Sequence, residues 1–144
     1  MKTIIIGASL SGKTTLVEYF RSQKIDCIDI DNQLSLSDNE KKYSEVIPKI
    51  ITDIFAKNEI LFFTHTDYLT LDDLRQARSL GFTIFQLELT LPELIKRNTL
   101  SGSEELTPWL EDMIDYQNEL KKIGLIDKSL DATLPVEKLA KEIT

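Results

Sequence analysis

The sequence predicts one α/β domain with a five-stranded parallel sheet covered by helices on both faces, and three observations carry this. Short β-branched apolar runs alternate with amphipathic stretches of helical length along all 144 residues. The apolar runs are nearly continuous rather than alternating, as strands buried on both faces are. A glycine-rich turn follows the first run and opens directly into an amphipathic stretch.

The elements follow in order. Lys2 to Ile6 is the first strand, and after the turn Leu16, Val17 and Phe20 share one helical face. Ile25 to Ile30 reads as the second strand, with Asp29 and Asp31 at its exit. From about Glu40 to Lys57, an apolar stripe of Val46, Ile47, Ile50, Ile51, Ile54 and Phe55 predicts a longer helix. Pro48 inside it either kinks that helix or marks its true beginning. Ile60 to Phe63 is the third strand. Thr70-Leu71-Asp72-Asp73 resembles a capping box opening a helix through Leu80, which Gly81 is placed to end. Phe82 to Leu89 is the fourth strand, and Thr90-Leu91-Pro92-Glu93 starts another helix. The polar stretch Asn98 to Glu105 precedes a helix from about Pro108 to Lys122. A short strand near Ser129 to Ala132 comes last, with a closing helix that carries Val136, Leu139, Ala140 and Ile143 on one face.

Bulk composition narrows the function classes. The chain is 42% apolar and 28% charged, which fits a folded domain rather than a disordered one. Its one cysteine, Cys27, cannot form an internal disulfide, so a reducing cytoplasm is the expected setting. No apolar run approaches the roughly 20 residues of a membrane helix, and Ile4 to Ile6 is too short for the apolar region of a signal peptide. A net charge of −7 without a basic stripe disfavours nucleic acid and anionic membrane as partners. A small anionic ligand remains compatible, because main-chain N–H groups hold phosphate in an acidic protein too.

Gly7-Ala8-Ser9-Leu10-Ser11-Gly12-Lys13-Thr14 matches Gly-x4-Gly-Lys-Ser/Thr at every fixed position, between a buried strand and a helix. Glycines let the backbone wrap a phosphate, and free N–H groups with the helix dipole favour the anion. Lys13 is expected to reach the β- and γ-phosphates, and the Thr14 hydroxyl to ligate Mg²⁺. Gly7 through Thr14, together with Thr15, are the expected contacts of a nucleoside triphosphate.

With this loop the chain resembles the P-loop kinases of small molecules, the nucleoside-monophosphate, shikimate and gluconate kinase group with related phage and bacterial proteins. The resemblance covers nearly the whole chain. It implies a P-loop NTPase three-layer sandwich spanning 1–144, strand order 2-3-1-4-5, a lid-like segment near 98–107, and ATP or another nucleoside triphosphate with Mg²⁺ as cofactors. Asp29-x-Asp31 is similar to the paired aspartates of shikimate and dephospho-coenzyme-A kinases. Such carboxylates help hold hydrated Mg²⁺ and orient or deprotonate the acceptor hydroxyl. Asp29 for the metal and Asp31 for the hydroxyl is one assignment, and the reverse order is open; plain turn chemistry also accounts for both. If the strand persists to Asp31, the two side chains face the same way. Arg97 matches the family arginine that stacks on adenine or contacts phosphate, although a cation also suits a helix C-terminus. Pro135, in Asp131-Ala-Thr-Leu-Pro135, is similarly placed to cover the other face of the base, or simply starts a helix.

Two departures from the family pattern stand out. No lysine or arginine occurs between Asn98 and Leu120, where related kinases carry further lid arginines. The region between Asp31 and Glu40 has no basic residue to clamp a phosphorylated acceptor, so a neutral hydroxyl-bearing acceptor suits the chain better. Beyond these, Asp67 is a candidate metal carboxylate or turn cap, and His65 an acceptor contact or a loop residue. Arg75 and Arg78 approach the acceptor or lie on a solvated helix face. Trp109 is expected to be a core or lid-anchoring aromatic, and Cys27 inert. The leading function is phosphoryl transfer from Mg²⁺-ATP to a small hydroxyl-bearing molecule, with Lys13, Asp29, Asp31 and Arg97 as the catalytic set. The alternative is an accessory or regulatory nucleotide-binding module with slow or no turnover.

Overall fold

A computed structural model describes residues 1–8, 11–35, 43–100 and 107–144. Five strands pair in parallel in the order β2-β3-β1-β4-β5, the order the family resemblance implies. The central strand β1 (Lys2–Gly7) lies between β3 (Ile60–His65) and β4 (Thr83–Glu88). The edges are β2 (Ile28–Asp29) and β5 (Lys128–Asp131). Ile4, Ile5 and Ile6 are fully buried, which explains why this run is β-branched without a polar alternation: it has no solvent face.

Successive strand residues feed two cores. Ile4, Ile6, Phe62 and Ile84 pack with Ile51 and Ile54 of α3 (Tyr43–Phe55), Leu74 of α4 (Leu71–Ser79) and Leu120 of α6 (Thr107–Lys122). Ile5, Phe63, Phe85 and Leu87 pack with Leu16 and Phe20 of α1 (Lys13–Ser22), Leu94 of α5 (Leu91–Leu100) and Leu139 of α7 (Val136–Ile143). The chain runs from β1 outward to β2, returns through β3, and crosses to β4 on the other side of β1. This reversal places a ligand crevice at the carboxyl ends of the strands.

Several boundaries differ from expectation for local reasons. The second strand is only two residues long, because Ile30 already enters α2 (Ile30–Ser35). The Asp29 carboxylate accepts the Asp31 N–H at 3.2 Å, a turn that competes with strand extension. Asp29 and Asp31 therefore do not share one strand, and the condition under which they would face the same way is not met. Pro48 lies inside α3 as its sixth residue. Helix α5 runs through Asn98, which is fully buried, to Leu100, three residues into the stretch expected as a lid. The rest of that segment, 101–106, lies outside the described residues. Trp109 is 36% exposed rather than packed; its neighbour Leu110 takes the core position instead.

The capping box of α4 is present in full. Thr70 Oγ1 accepts the Asp73 N–H at 3.1 Å, and Asp73 accepts the Thr70 N–H at 2.9 Å. Thr70→Ala is expected to cost about 1 kcal/mol. Urea denaturation should show a lower midpoint with unchanged slope, and an unmoved midpoint would remove the cap from the account.

Candidate functional site

Gly7, Asp29 and His65 end strands β1, β2 and β3, and Lys13, Asp31 and Asp67 lie on the turns and helices that follow those ends. β1 stops at Gly7, which lies level with His65 on β3 and Leu87 on β4. The chain there approaches itself closely. A Cβ on Gly7 would stand 2.5 Å from Ser11 Oγ and 3.2 Å from Leu87 Cβ, so no side chain fits without displacing the loop. The Ser11 N–H closes a turn on the Ala8 carbonyl at 3.2 Å. Gly12 then takes φ +94° and leads into α1, a conformation that costs an L-residue about 1 kcal/mol or more. Ser9 and Leu10 lie outside the described residues.

Helix α1 starts with no acid in its first turn and no side-chain cap on its N–H groups. Those groups, at Lys13, Thr14 and Thr15, lack partners within the helix, and the dipole adds positive potential. The Lys13 ammonium is buried against the same turn. Its Nζ donates to the Gly7 carbonyl at 2.9 Å, the Ala8 carbonyl at 2.7 Å and Ser11 Oγ at 3.5 Å. Burial pulls Lys13 down from 10.5 to about 8, while the carboxylates of Asp31, Asp29 and Asp67 hold it up. An ammonium held beside helix-start N–H groups that carry no side-chain cap can receive an anion.

The acidic side of the site comes from β2 and β3. The Asp29 carboxyl is buried at the end of β2, level with Phe63. Burial raises its pKa, against the lowering effect of the Asp31 N–H. Asp31, in the first turn of α2, meets His65 at the end of β3: His65 Nε2 lies 2.9 Å and 3.2 Å from the two carboxylate oxygens. The His65 ring also stands edge-on to Tyr68, centroids 4.7 Å apart. Asp67 is exposed in the 3-10 turn Thr66–Tyr68, near enough to act on Lys13.

The remaining candidates sit elsewhere. Arg97 lies in the last turn of α5, where its Nε donates to Glu93 Oε1 at 3.3 Å. Pro135 is the exposed N-cap of α7, with backbone angles that start a helix. Arg78 binds Asp127 at 2.7 Å; the same carboxylate accepts the Ile84 N–H at the amino-terminal part of β4, away from the crevice. Arg75 pairs with Asp72 on its own helix. The Cys27 thiol is half-buried and pushed up by that burial, as an inert residue is.

Two cavities of small-molecule size stand out, and no described residue of the loop lines either one. A cavity of about 480 Å³ lies at the ends of β4 and β5, lined by Glu88, Leu89, Thr90, Ser129, Asp131 and Thr133 among others. Another of about 480 Å³ lies between α3 and α4, with Asp67, Tyr68 and Thr70 at one end. A buried polar chain that sequence reading missed runs beneath the site. Gln117 Nε2 donates to Thr66 Oγ1 at 3.4 Å, and Gln86 Nε2 donates to the Gln117 carbonyl at 3.2 Å and to Glu88 at 3.0 Å. The signal was available: Gln86 is a polar residue in a strand that is otherwise apolar inward.

The fold and its loop together define a domain of the P-loop kinase architecture. No family model matches the sequence, and no curated protein matches it. Solved structures that resemble it include shikimate kinases, a gluconokinase and a deoxyadenosine kinase. Shikimate kinase from Acinetobacter baumannii, in complex with shikimate, superposes with TM-score 0.72 at 12% identity, over 99% of this chain and 90% of that one. The YorR protein from Bacillus subtilis, in complex with phosphorylated GDP, gives 0.70 at 16% identity over 99% and 93%. A gluconokinase from Sinorhizobium meliloti gives 0.67 at 13% identity over 99% and 88%. At these identities the likeness is one of fold.

The depressed Lys13 ammonium has a testable consequence for stability. Between about 8 and 10.5 the unfolded chain holds the Lys13 proton and the folded protein does not, so this group makes stability rise with pH across that window. Below it the ammonium carries its full burial cost, on the order of 3 kcal/mol. Lys13→Met removes that cost at every pH. The stability of the variant relative to wild type should therefore be greatest near pH 7 and fall between pH 8 and 10 in urea denaturation. A difference that stays constant over that range would show that the ammonium is not depressed.

Proposed function

We propose that this protein transfers the γ-phosphoryl group of Mg²⁺-ATP to a small, neutral, hydroxyl-bearing acceptor. The observation that carries the reading is the cradle at the mouth of α1: a Gly7 with no room for a side chain, a left-handed Gly12, uncapped N–H groups, and Lys13 folded over them. Gly7 through Thr15 would bind the triphosphate. Lys13 would turn from the loop carbonyls to the phosphates, exchanging two neutral acceptors for anionic ones. Arg97 and Pro135 would flank the base, and the cavity at the ends of β4 and β5 would be the space offered to it.

The donors present fit magnesium. Thr14 offers an exposed hydroxyl at the helix mouth and Asp29 a carboxylate, both hard oxygen ligands, while Mg²⁺ characteristically takes its other ligands from phosphate and water. Bound there, the ion would neutralise charge on the transferring group. Among the described residues no group of three His, Cys, Asp or Glu stands ready to enclose a cation. On the acceptor side, the cavity between α3 and α4 combines Ile47, Ile51 and Tyr68 with Ser44, Thr70 and Gln76, and no lysine or arginine lines it among the described residues. That lining suits hydroxyls rather than phosphates. No described helix is long and apolar enough to cross a membrane.

A second reading, an accessory nucleotide-binding module with slow turnover, draws on the absence of any lysine or arginine between Asn98 and Leu120. Removing one donor to developing phosphate charge costs about 10²- to 10³-fold in rate. Isotope-labelled ATP incubated with a panel of sugars, nucleosides and polyols separates the two: acceptor labelling supports transfer, and tight binding without it supports the module. Lys13→Ala should weaken ATP binding at least tenfold in titration calorimetry while the fold persists. Equal affinity in that variant would overturn the phosphate site.

A further inference from the structure

We propose that His65 is the positioning residue of the acceptor site, holding the Asp31 carboxylate at the edge of the phosphate loop; the inference rests on the phosphoryl-transfer reading above. The geometry assigns the direction of the contact. An ionised carboxylate only accepts, so the nitrogen 2.9 Å and 3.2 Å from its two oxygens, Nε2, carries the proton and donates. The two partners are not equivalent. His65 is 15% exposed and stands on β3 directly opposite Gly7, on an element paired to the centre of the sheet. Asp31 is 51% exposed and stands on α2, six residues long, behind an edge strand of two. The imidazole is thus the fixed member and the carboxylate the held one. Tyr68, edge-on at 4.7 Å, fixes the ring plane.

What the hold prevents is visible in the charges around it. Asp31 is the carboxylate that acts most strongly on Lys13, and it also repels the Asp29 carboxylate. Without a donor behind it, Asp31 would be drawn toward the ammonium that the phosphates need. With His65 in place, its lone pairs not engaged by Nε2–H stay directed outward, where an acceptor hydroxyl can reach them. In the transfer itself, the acceptor O–H bond breaks and its proton passes to Asp31. The acceptor oxygen bonds to the γ-phosphorus as the bridging bond to the β-phosphate breaks, and ADP leaves with that electron pair. His65 touches none of these atoms and acts through Asp31 alone.

The chain has a single histidine, so its ring is read without assignment. In ¹⁵N-labelled protein, long-range ring spectra should show a proton on Nε2, and Asp31→Ala should release that proton to solvent exchange. Turnover of Mg²⁺-ATP, with water as the probe acceptor, should fall at least tenfold in kcat in His65→Phe. KM for ATP should stay within twofold, and His65→Gln, which keeps an N–H, should recover most of the rate. A bare Nε2, a ring signal indifferent to Asp31→Ala, or equal turnover in wild type and His65→Phe (none in either included) overturns the assignment. Binding of a non-hydrolysable ATP analogue is measured alongside. Its failure in wild type would defeat the nucleotide reading, whereas its persistence with an indifferent His65 would defeat only this inference.

Discussion

Burial of one ammonium group at the carboxyl end of the central strand is the constraint on which the site depends. Lys13 sits in the first turn of α1 with its charge turned inward on the carbonyls of Gly7 and Ala8. Such a group is expensive to desolvate, and a protein keeps it only where surrounding dipoles and carboxylates offset part of the cost. The main-chain carbonyls do so directly, and Asp31, Asp29 and Asp67 do so at a distance. That requirement explains the tightness of the turn: without a side chain on Gly7 the loop closes far enough for both carbonyls to meet one nitrogen.

The rest of the architecture supplies rigidity behind that turn. Ile4, Ile5 and Ile6 are buried on both faces, between β3 and β4 in parallel register. Because the register sets Gly7 beside His65 and Leu87, three strand ends meet within one crevice. The arrangement is the one open parallel sheets use for ligands generally.

Buried polar groups link the crevice to the helix that follows the 101–106 segment. Thr66, Gln117, Gln86 and Glu88 form a chain from the turn after β3, through α6, to the end of β4, and Lys121 closes it on Glu88 at 2.9 Å. Burial pushes the Glu88 carboxyl up, but hydrogen bonds from Gln86, Ser129 and Lys121 outweigh it and hold the group below its usual value. Such a network specifies one position of α6 against the sheet, since a shift would leave buried amides unpaired. Orientation of α6 thereby becomes coupled to the strand ends that frame both cavities.

The glycine-rich turn, the five strands and their alternation with helices were legible in the amino-acid sequence, because each rests on local chemistry. Glycine spacing, β-branched runs and a capping box act within a few residues of one another. The sequence also determined what the crevice lacks, since charge missing from a segment is read directly from its composition. Tertiary structure alone decided which carboxylate meets which partner. Asp31 and His65 are 34 positions apart, and only the pairing of β2 with β3 brings them together. It decided too that Arg78 braces the opposite end of the sheet and that Trp109 stays outside the core. The physical reason is the same in each case: a side chain's partner is chosen by strand register and helix packing, which sum contacts from the whole chain and leave no mark in any single window of residues.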